Sequence, residues 1–99
     1  MLIVAGTMFI HLEKRAEAIE AGNKMMAATQ EEDGCISYRF SFAMDDPTCI
    51  LIFEEWESDA HLQAHFATAH MAEFRASLAG VVASRGGIKR YEVASSAAL

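Results

Sequence analysis

The stretch Phe53-Glu54-Glu55-Trp56-Glu57-Ser58-Asp59-Ala60-His61-Leu62-Gln63-Ala64-His65-Phe66-Ala67-Thr68-Ala69-His70 decides how this chain is read. It opens as the end of a strand that runs from Cys49 to Trp56. It turns at Glu57-Ser58-Asp59, where the Ser58 hydroxyl is suited to accept from backbone N–H groups of a first helical turn. It continues as a helix whose apolar side is predicted to be Leu62, Phe66 and Ala69, one face of a 3.6-residue repeat. Three of the four histidines of the chain lie in it. His65 is expected at the margin of the apolar stripe, and His61 one turn earlier and further toward water.

Outward from that stretch the chain reads as alternating elements. Leu2 to His11 is a short strand with apolar residues in both alternating sets, the pattern of a strand covered on both faces. Glu13 to about Glu31 is a helix with Ala18, Ile19, Gly22, Met26 and Thr29 predicted inward. Asp33-Gly34 stops it. Cys35 to Ala43 is a second strand, with Ile36, Tyr38, Phe40 and Phe42 on one face. Met44 to Thr48 is a turn built on two aspartates and Pro47. In the third strand Glu54 shares a face with Ile50, Ile52 and Trp56, so it needs a partner or a proton. The helical region from Ser58 to about Ser84 breaks in phase near Thr68, which gives two helices. Gly86-Gly87 is expected to end the second, and Ile88 to Val93 to form a polar edge strand.

The order β-α-β-β-α-β is the split pattern of an α+β, ferredoxin-like fold with an antiparallel sheet. Residues 1–94 form a single domain and 95–99 a flexible C-terminal tail. Two helices cover only one face of four strands. The other face is expected to meet a second copy, sheet against sheet, as a homodimer.

Composition narrows the classes of function. The chain has 99 residues, 53% of them hydrophobic and 22% charged, with a net charge of -6. The acidic balance argues against nucleic acid or an anionic membrane as partner. No apolar run is long enough to span a bilayer, and no basic region precedes an N-terminal apolar segment. Cys35 and Cys49 are separated along the hairpin by about seven positions, or ~23 Å, too far for a disulfide. Two free thiols suit a reducing, cytoplasmic setting.

The pattern Glu32-x-Gly34-Cys35-x-x-Tyr38, then Phe53-Glu54-x-Trp56-x-Ser58, then His65-x-x-x-x-His70 and Phe74, resembles the antibiotic biosynthesis monooxygenase family of dimeric α+β barrels. The resemblance runs from residue 2 to about residue 93. It implies a small pocket between sheet and helices. His65 and His70 match the family's histidine motif and Trp56 its strand-end tryptophan. Haem-degrading members use an Asn in the first strand, which this chain lacks.

The resemblance therefore implies a cofactor-independent monooxygenase acting on a small aromatic or quinone-like substrate with dioxygen. His65 is the candidate base, because imidazole titrates near neutral pH, and His70 is a second candidate catalytic group. Trp56, Tyr38, Phe66 and Glu54 are the candidate pocket residues. An isomerase using the same base, or a non-catalytic binder of small hydrophobic ligands, are the rival readings. For metal, His61 with His65 and His70 with Glu73 have helical spacing, but the His-Glu-x-x-His pattern is absent and no metal is expected.

Overall fold

A computed structural model describes residues 1–99. Strand β1, Leu2–Ile10, leads through a 3-10 turn at Leu12–Lys14 into helix α1, Arg15–Thr29. Strands β2, Cys35–Ala43, and β3, Asp46–Trp56, form a hairpin. Helices α2, Asp59–Phe66, and α3, Ala69–Ser77, follow, and strand β4, Val82–Glu92, closes the sheet. The sheet is antiparallel throughout, in the order β2-β3-β1-β4. This is the ferredoxin-like α+β fold that the element order predicts.

Register sets the buried face as cross-strand rows. Leu2, Trp56 and Cys35 form one row, and Val4, Glu54 and Tyr38 the next. Gly6, Ile52 and Phe40 follow, then Met8, Ile50 and Phe42. The core divides in two along these rows. Leu2, Val4, Met25, Tyr38, Trp56 and Leu62 form the half nearer α2. Met8, Ile10, Ala18, Ile50, Ile52 and Val81 form the other half, and Phe40 packs against both.

Local chemistry explains the element ends. The Ser58 hydroxyl accepts from the backbone N–H of His61 at 3.3 Å and caps α2. The Thr68 hydroxyl accepts from Met71 at 3.2 Å and caps α3, so the predicted break near Thr68 is present. Cys35 and Cys49 are both free thiols.

Several expectations are corrected. The second helical segment stops at Ser77 instead of about Ser84, because Gly80 takes a left-handed conformation with φ 76° and Val82 already begins β4. Gly86-Gly87 therefore lies inside a strand, where the β1–β4 register shifts. The hairpin turn is narrower than predicted. Asp46 begins β3, and its carboxylate accepts from the Thr48 N–H at 2.9 Å and hydroxyl at 2.7 Å. Pro47 is tolerated because the β1–β3 ladder extends only to Cys49. In β2 a register irregularity between Cys35 and Ser37 turns Ile36 outward, half exposed, and packs Cys35 against the core instead. In α1 the buried face is Ala18, Ala21, Gly22, Met25 and Thr29, and Ile19 stands partly exposed at its edge. In α2 it is Leu62 and His65, while Phe66 is exposed and so is Ala69, which opens α3.

Of the two glycines Gly6 and Gly87, close together where β1 pairs β4, only Gly6 has a steric reason. A side-chain carbon on Gly6 would overlap the Gly87 carbonyl, whereas one on Gly87 would meet nothing within 4 Å. Gly6→Ala should therefore lower stability by about 1–3 kcal/mol, as forced overpacking does, while Gly87→Ala stays close to wild type. Equal thermal midpoints for the two variants would contradict this crossing geometry.

Candidate active site

The turn between α1 and β2 carries Glu32. The Glu32 N–H donates to the Thr29 carbonyl at 2.9 Å, and the Glu32 carbonyl accepts from Cys35 at 3.2 Å. Gly34, with φ 79°, lets this turn fold tightly against α2. Any side chain on Gly34 would overlap the His61 ring, whose Nδ1 lies 2.7 Å from the Ser58 hydroxyl. His61 thus packs on the turn that presents Glu32.

Glu32 Oε2 stands 2.6 Å from His65 Nδ1 and 2.7 Å from His70 Nε2. One carboxylate oxygen joins the first turn of α3 to the last turn of α2. A carboxylate accepts, so each ring nitrogen facing it donates. His65 therefore carries its proton on Nδ1 and keeps a lone pair on Nε2. His65 is 1% exposed, Glu32 14% and His70 26%. The expectation that His65 sits at the margin of the stripe is thus corrected: its ring is core. Burial is the main force holding its pKa below the ordinary imidazole value. The Glu32 hydrogen bond and charge work the other way, and the His70 and Arg75 charges reinforce burial.

Aromatic groups enclose the His65 ring. The Trp56 ring centroid lies 4.8 Å away and that of Tyr38 5.4 Å away. Trp56 is completely buried, and its indole N–H donates to Glu54 Oε1 at 2.9 Å. Glu54 is itself 7% exposed. Burial, its first cause, pushes its carboxyl up to about 7, the indole hydrogen bond opposes, and the Glu32 charge adds. Tyr38 is held well above the usual phenol range, first by burial and then by the charges of Glu54 and Glu32.

Beside this cluster is an apolar slot of about 280 Å³, lined by Met8, Ile19, Met26, Phe40, Phe42, Ile50, Phe74 and Leu78, with Asn23 and Ser41 as polar groups. Phe40 stacks on Phe74 with ring centroids 5.5 Å apart, and its other neighbour is Tyr38 at 5.1 Å. The Phe40–Phe74 pair stands between the slot and the Tyr38–His65 contact. Trp56 and Tyr38 contact the His65 ring, Glu54 is joined to it through the Trp56 indole, and none of the three lines the slot. Phe66 lies 5.8 Å from His65, centroid to centroid, and lines a shallow depression with Val4, Leu62 and Ile88. The residue of this cluster that sequence reasoning passed over is Glu32. It stood in the quoted pattern beside Gly34, but nothing in local spacing linked it to histidines 33 and 38 positions later.

A model of the antibiotic biosynthesis monooxygenase family matches residues 1–77. The chain belongs to that family. It is 31% identical over 98 residues to the uncharacterized protein sll1783 of Synechocystis, covering 99% of this chain and 67% of the relative. It is 32% identical over 76 residues to the Escherichia coli protein named probable quinol monooxygenase YgiN, covering 69% of this chain and 73% of that one. A Deinococcus radiodurans structure that carries the family's name superposes with a TM-score of 0.91 at 26% identity, over 100% of this chain and 98% of the other. Rv0793 of Mycobacterium tuberculosis, at 21% identity, shares the fold with a TM-score of 0.88 over 98% of each chain. No helix of this family member is long and apolar enough to cross a membrane.

The buried Glu54 gives this monooxygenase-family chain a pH signature. Its folded pKa lies above the unfolded carboxylate value of ~4.3, so the fold binds the proton more tightly than the unfolded chain does. The stability this contributes is complete below about pH 4 and is lost as pH rises through about 7. Glu54→Gln keeps an acceptor for the Trp56 indole and removes the titration. The thermal midpoint of the variant minus that of wild type should therefore grow by several °C between pH 5.5 and pH 8.5, at roughly 4–8 °C per kcal/mol. A difference that does not change with pH would contradict the assignment.

Proposed function

We propose that this protein is a cofactor-independent monooxygenase of a small quinol or polyphenol, with His65 as base. The observation that carries the reading is the Glu32 carboxylate on His65 Nδ1, which leaves Nε2 free to accept a proton. A buried base held by a partly buried acceptor is the arrangement in which a third group orients the one that moves the proton. Low dielectric keeps His65 neutral and therefore able to act. His70 shares the same oxygen and so positions Glu32.

The chemistry follows from the substrate. His65 removes a phenolic proton, and the resulting anion is electron-rich enough to give one electron to dioxygen. The two radicals combine into a carbon–oxygen bond, and loss of water leaves a carbonyl. A dihydroxybenzene and dioxygen thus become a hydroxyquinone and water, with both protein histidines returned to their starting state. The slot of about 280 Å³ is at the small end of ligand cavities and suits one or two aromatic rings, but it lies behind the Phe40–Phe74 pair, so a substrate held there meets His65 only when that pair swings aside. Trp56 and Tyr38 are buried against the His65 ring and hold its orientation. The name of the Escherichia coli relative agrees with a quinol as substrate.

The second copy belongs to the same proposal. Ile3, Ala5 and Phe9 of β1 share the helix-free face with Leu51 and Phe53 of β3 and Tyr91 of β4. Leu51, Phe53 and Tyr91 are each more than 40% exposed in the single chain. A continuous apolar sheet face of this kind is covered most simply by its own twofold copy. Light scattering should give about twice the chain mass of 10.8 kDa. A mass of one chain at micromolar concentration would contradict the dimer.

The base is tested by His65→Gln, which keeps a hydrogen-bonding amide in a fully buried position where alanine would leave a cavity. With metal-free and flavin-free protein in an oxygen electrode, turnover of a quinol should fall by ~10²–10⁴, the usual worth of a positioned acid–base group. Circular dichroism should stay native. His11→Ala, an exposed histidine at the end of β1, serves as control and should retain turnover near wild type. Full activity in a folded His65→Gln protein would overturn the assignment.

A further inference from the structure

The Glu32, His65 and His70 donors converge on one point from three separate elements. Glu32 Oε2, His65 Nδ1 and His70 Nε2 all lie within 4.8 Å of one another. We propose that these three side chains form a binding site for a borderline divalent transition-metal ion such as zinc or cobalt. Neither helical spacing weighed in the sequence, His61 with His65 or His70 with Glu73, assembles this set.

The donor chemistry selects the ion. Two imidazole nitrogens and one carboxylate oxygen suit zinc, cobalt, nickel or iron, whereas magnesium and calcium prefer oxygen alone. Geometry is close to what such an ion needs. Metal–ligand distances of about 2.0–2.2 Å put donors roughly 3.0–3.5 Å apart, and Oε2 now stands 2.6 and 2.7 Å from the two nitrogens. The separations must widen by about 0.3–0.9 Å, and that movement falls to Glu32 in its irregular turn and His70 in the first turn of α3. His65, walled in by Trp56 and Tyr38, is the fixed ligand. The remaining coordination positions open on the His70 side, where His70, Glu73 and Lys24 line a surface depression. Glu73 adds negative charge there and Lys24 opposes it.

Occupation changes the protonation of the site without changing its proton count. The ion takes the Nδ1 lone pair of His65, so that ring's proton moves from Nδ1 to Nε2. In His70 the proton moves from Nε2 to Nδ1. The Nε2 lone pair of His65 is then gone, and the metal-loaded protein is inactive as a base catalyst. This last consequence rests on the proposed role of His65, while the site itself does not.

Cobalt titration of untagged, chelator-stripped protein, followed by visible absorption, tests the site without reference to activity. Saturation at one cobalt per chain is expected, with zinc displacing it. His70→Ala and Glu32→Gln should each weaken binding at least about tenfold, and His11→Ala, an exposed histidine at the end of β1, should bind like wild type. His70 is a quarter exposed, so its alanine variant keeps the test open should a His65 variant not fold. No saturable uptake at millimolar cobalt, or equal uptake by His70→Ala, would overturn the proposal. Zinc should also suppress quinol-dependent oxygen uptake by wild-type protein. Binding with full activity retained would uphold the metal site and remove His65 as the base.

Discussion

One carboxylate oxygen, Oε2 of Glu32, accepts from two imidazoles at once, and the site depends on that shared contact. It ties the turn after α1 to both helices that cross the sheet later in the chain. Its surroundings are largely dry, so each hydrogen bond is stronger than it would be in water, and loss of any partner would leave a buried polar group unmet. The contact also fixes chemistry. A neutral imidazole donating from Nδ1 has only Nε2 left to accept. Placement of Glu32 in turn requires the left-handed Gly34 and the His61 ring packed on it.

A second buried polar group stands on the sheet beneath. Glu54 occupies the row between Val4 and Tyr38, where the alternation of β3 would otherwise put an apolar residue. Only one hydrogen bond, from the Trp56 indole, meets it. Its raised carboxyl pKa follows from that poor solvation. Burial first, and then the Glu54 and Glu32 charges, hold the Tyr38 phenol protonated beside His65. The neighbourhood thus holds one neutral base, one protonated phenol and one carboxyl poised near neutrality.

Much of the fold was legible because its signals are local. Alternation marked β1 to β3, Ser58 and Thr68 marked the helix starts, and the element order gave the ferredoxin-like topology. The misreadings have physical causes. Apolar residues past Ser77 extend the expected helical region to about Ser84, but the left-handed Gly80 ends the helix before them. The irregularity at Ile36 reversed the expected inward residue in β2, and strand alternation carries no warning of a bulge. His65 was placed at the margin because periodicity counts apolar residues, and a histidine joins the core only when a partner satisfies its ring nitrogens. That partner, Glu32, comes from a different element. Its two contacts exist only once the chain has folded.

The tautomer of His65 can be observed directly. Proton–nitrogen NMR optimised for the long-range couplings of imidazole distinguishes a protonated from a bare ring nitrogen in nitrogen-labelled, chelator-treated protein at neutral pH. A neutral His65 ring with its proton on Nδ1 and a bare Nε2 is the expected result. A ring protonated on Nε2 alone, or on both nitrogens, would contradict the hold of Glu32 on His65 and the chemistry built on it.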